Sequence, residues 1–173
     1  MRNRGKVYCG YPGVGKSSIA GEWIFDKNDG YDHTIIDLES SLMRSYTGQK
    51  PDNWAEIYVR YVEDLINQGV NVMCSTHPEV RNELECRGIE YINIFPALAI
   101  KYWWVDRLQA RWKNDPSDKN KAAYDRAVNW YEHDINDLMT NDKYIAIGIE
   151  RFYDLRDIIE EYEIHDCDKW MKS

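Results

Sequence analysis

Apolar residues along the chain fall into two alternating rhythms. Short apolar runs over 6–9, 34–37, 70–74, 89–94 and 144–149 read as strands. Between them, apolar residues recur at helical spacing. One such stretch, 17–25, turns Ile19, Trp23 and Ile24 inward. Another is opened by Pro51-Asp52-Asn53, carries Trp54, Tyr58, Tyr61 and Leu65, and is closed by Gly69. A third begins at Pro78, a residue tolerated at the first helical position, and ends near Gly88. Helices are also expected over 97–113, 119–139 and 154–163. The polar break Asn114-Asp115-Pro116-Ser117-Asp118 reads as a mobile tip between two of them. Five strands alternating with helices predict an α/β fold with a parallel sheet.

Composition narrows this picture. A chain of 173 residues with 43% hydrophobic content suits a single domain, 1–173, with a sizeable core. A net charge of -8 makes nucleic acid an unlikely partner, because an acidic protein gains little from counterion release on a polyphosphate. No run approaches the ~20 apolar residues needed to span a bilayer, and the short basic N-terminus has no apolar signal region. The expectation is a cytoplasmic protein without a membrane partner. Cys9, Cys74, Cys86 and Cys167 show no C-x-x-C spacing and read as reduced thiols. The 7 Trp and 13 Tyr exceed what one core accommodates, so some rings should line surfaces or pocket walls, with Tyr11, Trp54 and Trp103 as candidates.

The most specific chemistry lies directly after the first strand. Gly10-Tyr11-Pro12-Gly13-Val14-Gly15-Lys16-Ser17 matches G-x-x-x-x-G-K-[ST] in full, between a strand and a helix. Glycines let the backbone fold back so that successive N–H groups point at phosphate oxygens, and a helix N-terminus adds its positive dipole end. The loop residues Gly10, Gly13, Val14 and Gly15, with Lys16, Ser17 and Ser18, are therefore expected to hold the phosphates of ATP. Lys16 would lie along the terminal phosphates, and the Ser17 hydroxyl would ligate Mg²⁺.

Three classes use such a loop, and other motifs separate them. The N-K-x-D segment of GTPases is missing. Motor-type ATPases need an apolar strand ending in Asp-Glu well downstream, whereas Thr34-Ile35-Ile36-Asp37-Leu38-Glu39 follows Lys16 by only about 20 residues. The glycine loop, the five-strand alternation, the acidic cluster Asp37, Glu39, Ser40 and Ser41, and an arginine-bearing helical hairpin before the last strand give the chain its likeness. It resembles the nucleoside monophosphate kinase-like group of P-loop kinases, most of all the small phage-type deoxynucleotide kinases. The resemblance implies a three-layer fold, strand order 2-3-1-4-5, a small-molecule nucleotide substrate, and a lid over about 105–127 that closes over ATP. It also implies an adenine site after the fifth strand, at Glu150-Arg151-Phe152-Tyr153, with Arg151 against the base. Homodimerisation is left open.

Arg107 and Arg111 stand four residues apart, on one helix face, and are candidates for stabilising the migrating phosphoryl group. Pairing with Asp106 or Asp115 is their alternative, and Lys119, Lys121 and Arg126 are further lid cations. Asp37 and Glu39 lie at the carboxyl end of a strand, where open α/β sheets bind ligands. Asp37 is a candidate catalytic base or substrate ligand. Ser40, Ser41, Arg44, His77 and Arg81 are candidate donors to the acceptor, with a cap of the next helix as the alternative for His77. Ser75-Thr76-His77 stands where many relatives carry an acidic metal-shell residue. These residues lead first to an ATP- and Mg²⁺-dependent kinase making a (deoxy)nucleoside diphosphate from the monophosphate. A hydroxyl-acceptor kinase using Asp37 as base is the alternative. A non-catalytic ATP-binding regulator is the reading from another class, motivated by the missing acid.

Overall fold

The structure is a computed structural model and describes residues 3–45, 47–151 and 154–164, with backbone only for Arg151 and Ile164. At its centre lies β1 (Val7–Gly10), all four residues of which are buried. Burial without alternation means that both faces of the strand are covered. Side chains of successive strand residues point to opposite faces, so Tyr8 enters one apolar cluster while Val7 and Cys9 enter the other.

β1 pairs in parallel with β4 (Asn71–Ser75) on one side and β5 (Tyr91–Pro96) on the other. β3 (Tyr31–Asp37) adds beyond β4, and β6 (Tyr144–Ile147) beyond β5, both parallel. A further strand, β2 (Trp23–Asp26), closes the β3 edge in antiparallel pairing, with Trp23 opposite Thr34 and Asp26 opposite Tyr31. The sheet order is β2-β3-β4-β1-β5-β6. The sheet thus has six strands rather than the expected five, and is mixed rather than wholly parallel.

The added strand replaces most of the helix expected over 17–25. That helix, α1 (Lys16–Ile19), is a single turn. Gly21, at φ 86°, redirects the chain, and Trp23-Ile24-Phe25-Asp26 then alternates exposed and buried. Trp23 is half exposed instead of buried. Asn28-Asp29-Gly30 turns the hairpin, with Gly30 at φ 74° and its N–H donating to Asp26 O at 2.8 Å. Buried His33 pins the hairpin to the body, its Nδ1 2.7 Å from Gly69 O and its Nε2 2.8 Å from Asp29 Oδ2.

Helices cover both faces. α2 (Trp54–Asn67) and α3 (Pro78–Cys86) bury Tyr58, Val62, Val80 and Leu84 in the cluster holding Val7 and Cys9. The opposite face carries α1, α4 (Lys101–Asn114), α5 (Asp118–Leu138) and α6 (Leu155–Ile164), with Trp104, Leu108, Tyr131 and Ile159 inside. α4 and α5 form the hairpin before the last strand. Its tip is a capped turn: Ser117 Oγ accepts from Asn120 N–H at 3.2 Å, and Asn120 Nδ2 donates to Asp115 O at 2.9 Å. Among the described residues, no helix is long and apolar enough to cross a membrane.

Candidate functional site

The glycine loop leaves β1 at the carboxyl edge of the sheet. Gly13 and Gly15 adopt φ 91° and 102°, values that a side chain would strain. A Cβ on Gly13 would also stand 2.9 Å from Leu108 Cδ2, so α4 packs directly on loop backbone. Trp104 Nε1 donates to Pro12 O at 3.1 Å and fixes the loop from the same helix. Tyr11 is not a pocket wall. It is buried edge-on to Tyr131, with centroids 6.0 Å apart. Val14 is buried beneath the loop, and Ser18 Oγ donates back to Gly15 O at 2.7 Å. Because α1 is one turn long, the expected helix-dipole contribution is that of its first N–H groups alone.

Lys16 folds inward, and its Nζ donates to Gly10 O at 2.7 Å. Burial lowers its pKa to about 8 against the pull of Asp37, with Lys119 and Arg111 adding to the lowering. An ammonium that is partly desolvated and, among the described residues, bonded to a carbonyl but to no carboxylate attracts an anion. The glycine cradle and this lysine fit a phosphate group.

The glycine loop and the α4–α5 hairpin border a cleft of about 650 Å³. Gly13, Gly15, Lys16 and Ser17 line one side, and Asp37, Glu39, Ser40 and Arg44 line another; Ser75, His77 and Arg111 also border it. Burial raises the pKa of Asp37, and Glu39 adds to the rise while Lys16 and Lys119 oppose it. Glu39 is held below the usual carboxylate range chiefly by its hydrogen bond from Lys119, at 2.7 Å. Ser17, Ser75, Asp37 and Glu39 are among the oxygen donors of the cleft that suit a hard cation.

Arg111 borders the cleft and, together with Arg107, a second hollow of about 600 Å³ beside Gly13. The Arg107 guanidinium stands 5.9 Å from the ring centroids of Trp103 and Trp104. Burial, and after it the nearby charge of Arg111, lowers the Arg107 pKa. Arg81 does not reach the cleft at all. It is buried, donates from Nε to Thr76 O at 3.1 Å, and forms an ion pair with Asp137 of α5. His77 occupies the N-cap position of α3, but its side chain makes no cap bond. Instead the ring lies edge-on to Trp54, centroids 5.5 Å apart, and burial lowers its pKa. The side chain of Arg151, with Phe152 and Tyr153, lies outside the described residues.

Of the lining residues, Lys50, Asp118 and Asn120 had no clear sequence signal, whereas Arg126 was expected as a further cation. Lys50 precedes α2 and places its Nζ 3.7 Å over the Trp54 ring. Asn120 and Asp118 reach the cleft from the start of α5, and Arg126 one face further along. Arg126 is held by Asp134 through two bonds of 2.6 and 2.5 Å. Compared with models of known protein families and with curated proteins, the chain matches none.

Proposed function

We propose that this protein is a P-loop kinase that transfers the γ-phosphoryl group of ATP to a (deoxy)nucleoside monophosphate, giving the diphosphate. The observation that carries the reading is Lys16, desolvated and bonded to Gly10 O within a loop whose Gly13 and Gly15 take positive φ, at the head of a large cleft. The run of parallel strands β3-β4-β1-β5-β6 supports it, since it places the loop at the middle of the sheet with cleft residues from β3 and β4 beside it.

The loop amides and Lys16 bind the donor phosphates. Arg111 offsets charge on the migrating group. The bond from the γ-phosphorus to the β,γ-bridging oxygen breaks as one forms to an acceptor phosphate oxygen, and the electron pair leaves on ADP. Ser17, with Asp37 and Glu39 through water, would hold Mg²⁺, which would neutralise phosphate charge when bound. Arg81 has no part in this assignment, because its guanidinium is consumed by Thr76 and Asp137.

One observation favours a second reading. The raised pKa of Asp37 makes it a stronger base, as a hydroxyl acceptor would require. The test is a transfer assay with γ-labelled ATP and Mg²⁺ against ribo- and deoxynucleoside monophosphates, nucleosides and a 5′-hydroxyl oligonucleotide. Label on a monophosphate supports the first reading. Label on hydroxyl acceptors alone overturns it in favour of the second, and ATP binding without any labelled product overturns both in favour of a regulator.

A further inference from the structure

The cleft is lined by six Lys and Arg side chains against three carboxylates, although the chain as a whole carries a net charge of -8. Positive charge has been concentrated here against the balance of the molecule. Two of the six are neutralised locally: Lys119 by Glu39 and Arg126 by Asp134. Among the described residues, Lys16, Arg111, Arg44 and Lys50 form no ion pair with a carboxylate. They divide by position. Lys16 and Arg111 belong to the loop and to α4, which packs on it, whereas Arg44 and Lys50 flank the segment between β3 and α2.

We propose that Arg44 and Lys50, with His77 beside them, form a phosphate subsite that selects an acceptor already carrying a phosphate monoester. The inference rests on the kinase reading and names what that reading leaves open, the group by which the acceptor is held. Arg44 is oriented by donation from Nη1 to Gly48 O at 2.9 Å, which uses one of its five N–H groups. The Lys50 ammonium rests on the Trp54 ring at 3.7 Å, an arrangement that fixes its place while leaving donors for another partner. Lys50 titrates below its ordinary value because it is desolvated and because Arg44 is close. Glu79 offsets this in part from a distance, without an ion pair to either cation among the described residues. Two cations held close in this way still repel each other, and a dianionic phosphate relieves that repulsion. The His77 ring, against the other edge of Trp54, borders the same region and supplies one neutral N–H donor. Trp54 is thus the fixed platform for both. A hydroxyl acceptor would leave Arg44 and Lys50 uncompensated in the closed complex, so the pair discriminates against it.

The experiment loads the full-length chain with a non-hydrolysable ATP analogue and Mg²⁺, to occupy the glycine loop, and titrates inorganic phosphate by calorimetry. The wild type is expected to bind one phosphate. Lys50→Ala should weaken that binding by about tenfold or more, the scale of one charge-assisted hydrogen bond, and Lys50→Arg should restore most of it. Lys143→Ala, which removes a surface lysine paired with Glu90, should change nothing. Phosphate bound equally well by Lys50→Ala, or no phosphate bound by the loaded wild type, overturns the proposal. If the analogue itself fails to bind, the kinase reading falls. The same titration on Lys16→Ala and Lys16→Ala/Lys50→Ala proteins then reads the subsite alone, by whether the Lys50 difference persists.

Discussion

Lys119 Nζ donates to Glu39 Oε1 at 2.7 Å, joining the first turn of α5 to the segment that follows β3. Both residues border the cleft, so the pair links its α5 wall to its sheet wall. Lys119 and Glu39 are substantially exposed, and an exposed ion pair contributes about 0–1 kcal/mol. The link is therefore weak enough for an entering phosphate to take Lys119 from Glu39. Lys119→Ala should unfold within about 1 kcal/mol of the wild type. It should also return the Glu39 carboxyl upward toward its ordinary pKa, since the Lys119 hydrogen bond is the first cause of its depression. Carboxyl-carbon NMR titration reads that shift, and an unmoved Glu39 would refute the link.

The Lys16 ammonium gives a pH signature. Its pKa of about 8 lies below the ordinary value of 10.5 because of burial, so the unfolded chain binds more protons between these values. Stability from this group accordingly rises as pH climbs through that window, and is lost as pH falls through about 8. Phosphate at Lys16 would favour the charged form and raise the pKa again. ATP binding at and somewhat above pH 8 should therefore take up protons, with affinity falling as pH rises further. Calorimetry in buffers of different ionisation enthalpy measures the uptake; Lys16→Ala should abolish it.

Loop geometry depends on α4. Trp104→Ala should destabilise the fold by about 3–5 kcal/mol, because a fully buried indole is removed and the Pro12 carbonyl loses its donor. Gly13→Ala adds a side chain at φ 91° and a 2.9 Å contact with Leu108. It should weaken ATP binding more than it lowers stability, because the strain falls on the phosphate-facing backbone. Denaturant unfolding and ATP titration of both variants separate the two effects.

Arg81→Ala should behave as a stability variant, not an acceptor-site variant. Its loss frees a partly exposed Asp137 and a Thr76 carbonyl, costing about 1–2 kcal/mol. KM for the acceptor should stay within about threefold of the wild type, since Arg81 does not border the cleft. A selective rise in KM at unchanged stability would return Arg81 to the site.

The parallel strands and the glycine loop were legible because short apolar runs and the spacing Gly10, Gly15, Lys16 and Ser17 are local features. β2 was not, although its signals were present. Ile19 and Trp23 stand four apart and fit a helical period, yet Gly21 interrupts the helix and Asn28-Asp29-Gly30 supplies a hairpin turn. Four residues are too few to show a strand period clearly. The fate of Arg81 was unreadable because its partner Asp137 lies 56 positions away, and helical spacing alone says nothing of which neighbour a side chain meets. Lys50 was missed for a similar reason: its place over Trp54, with His77 of the β4–α3 turn against the same ring, is a product of the fold.

The central claim is that Lys16 and its loop present ATP for phosphoryl transfer. The most direct measurement is the rate of label transfer from γ-labelled ATP, in Mg²⁺, to the best monophosphate acceptor, by the wild type and by Lys16→Ala at matched fold stability. The account predicts transfer by the wild type and a loss of about 100-fold or more in the variant, the scale of removing one preorganised charge from a phosphoryl-transfer site. Equal rates for the two proteins would contradict it.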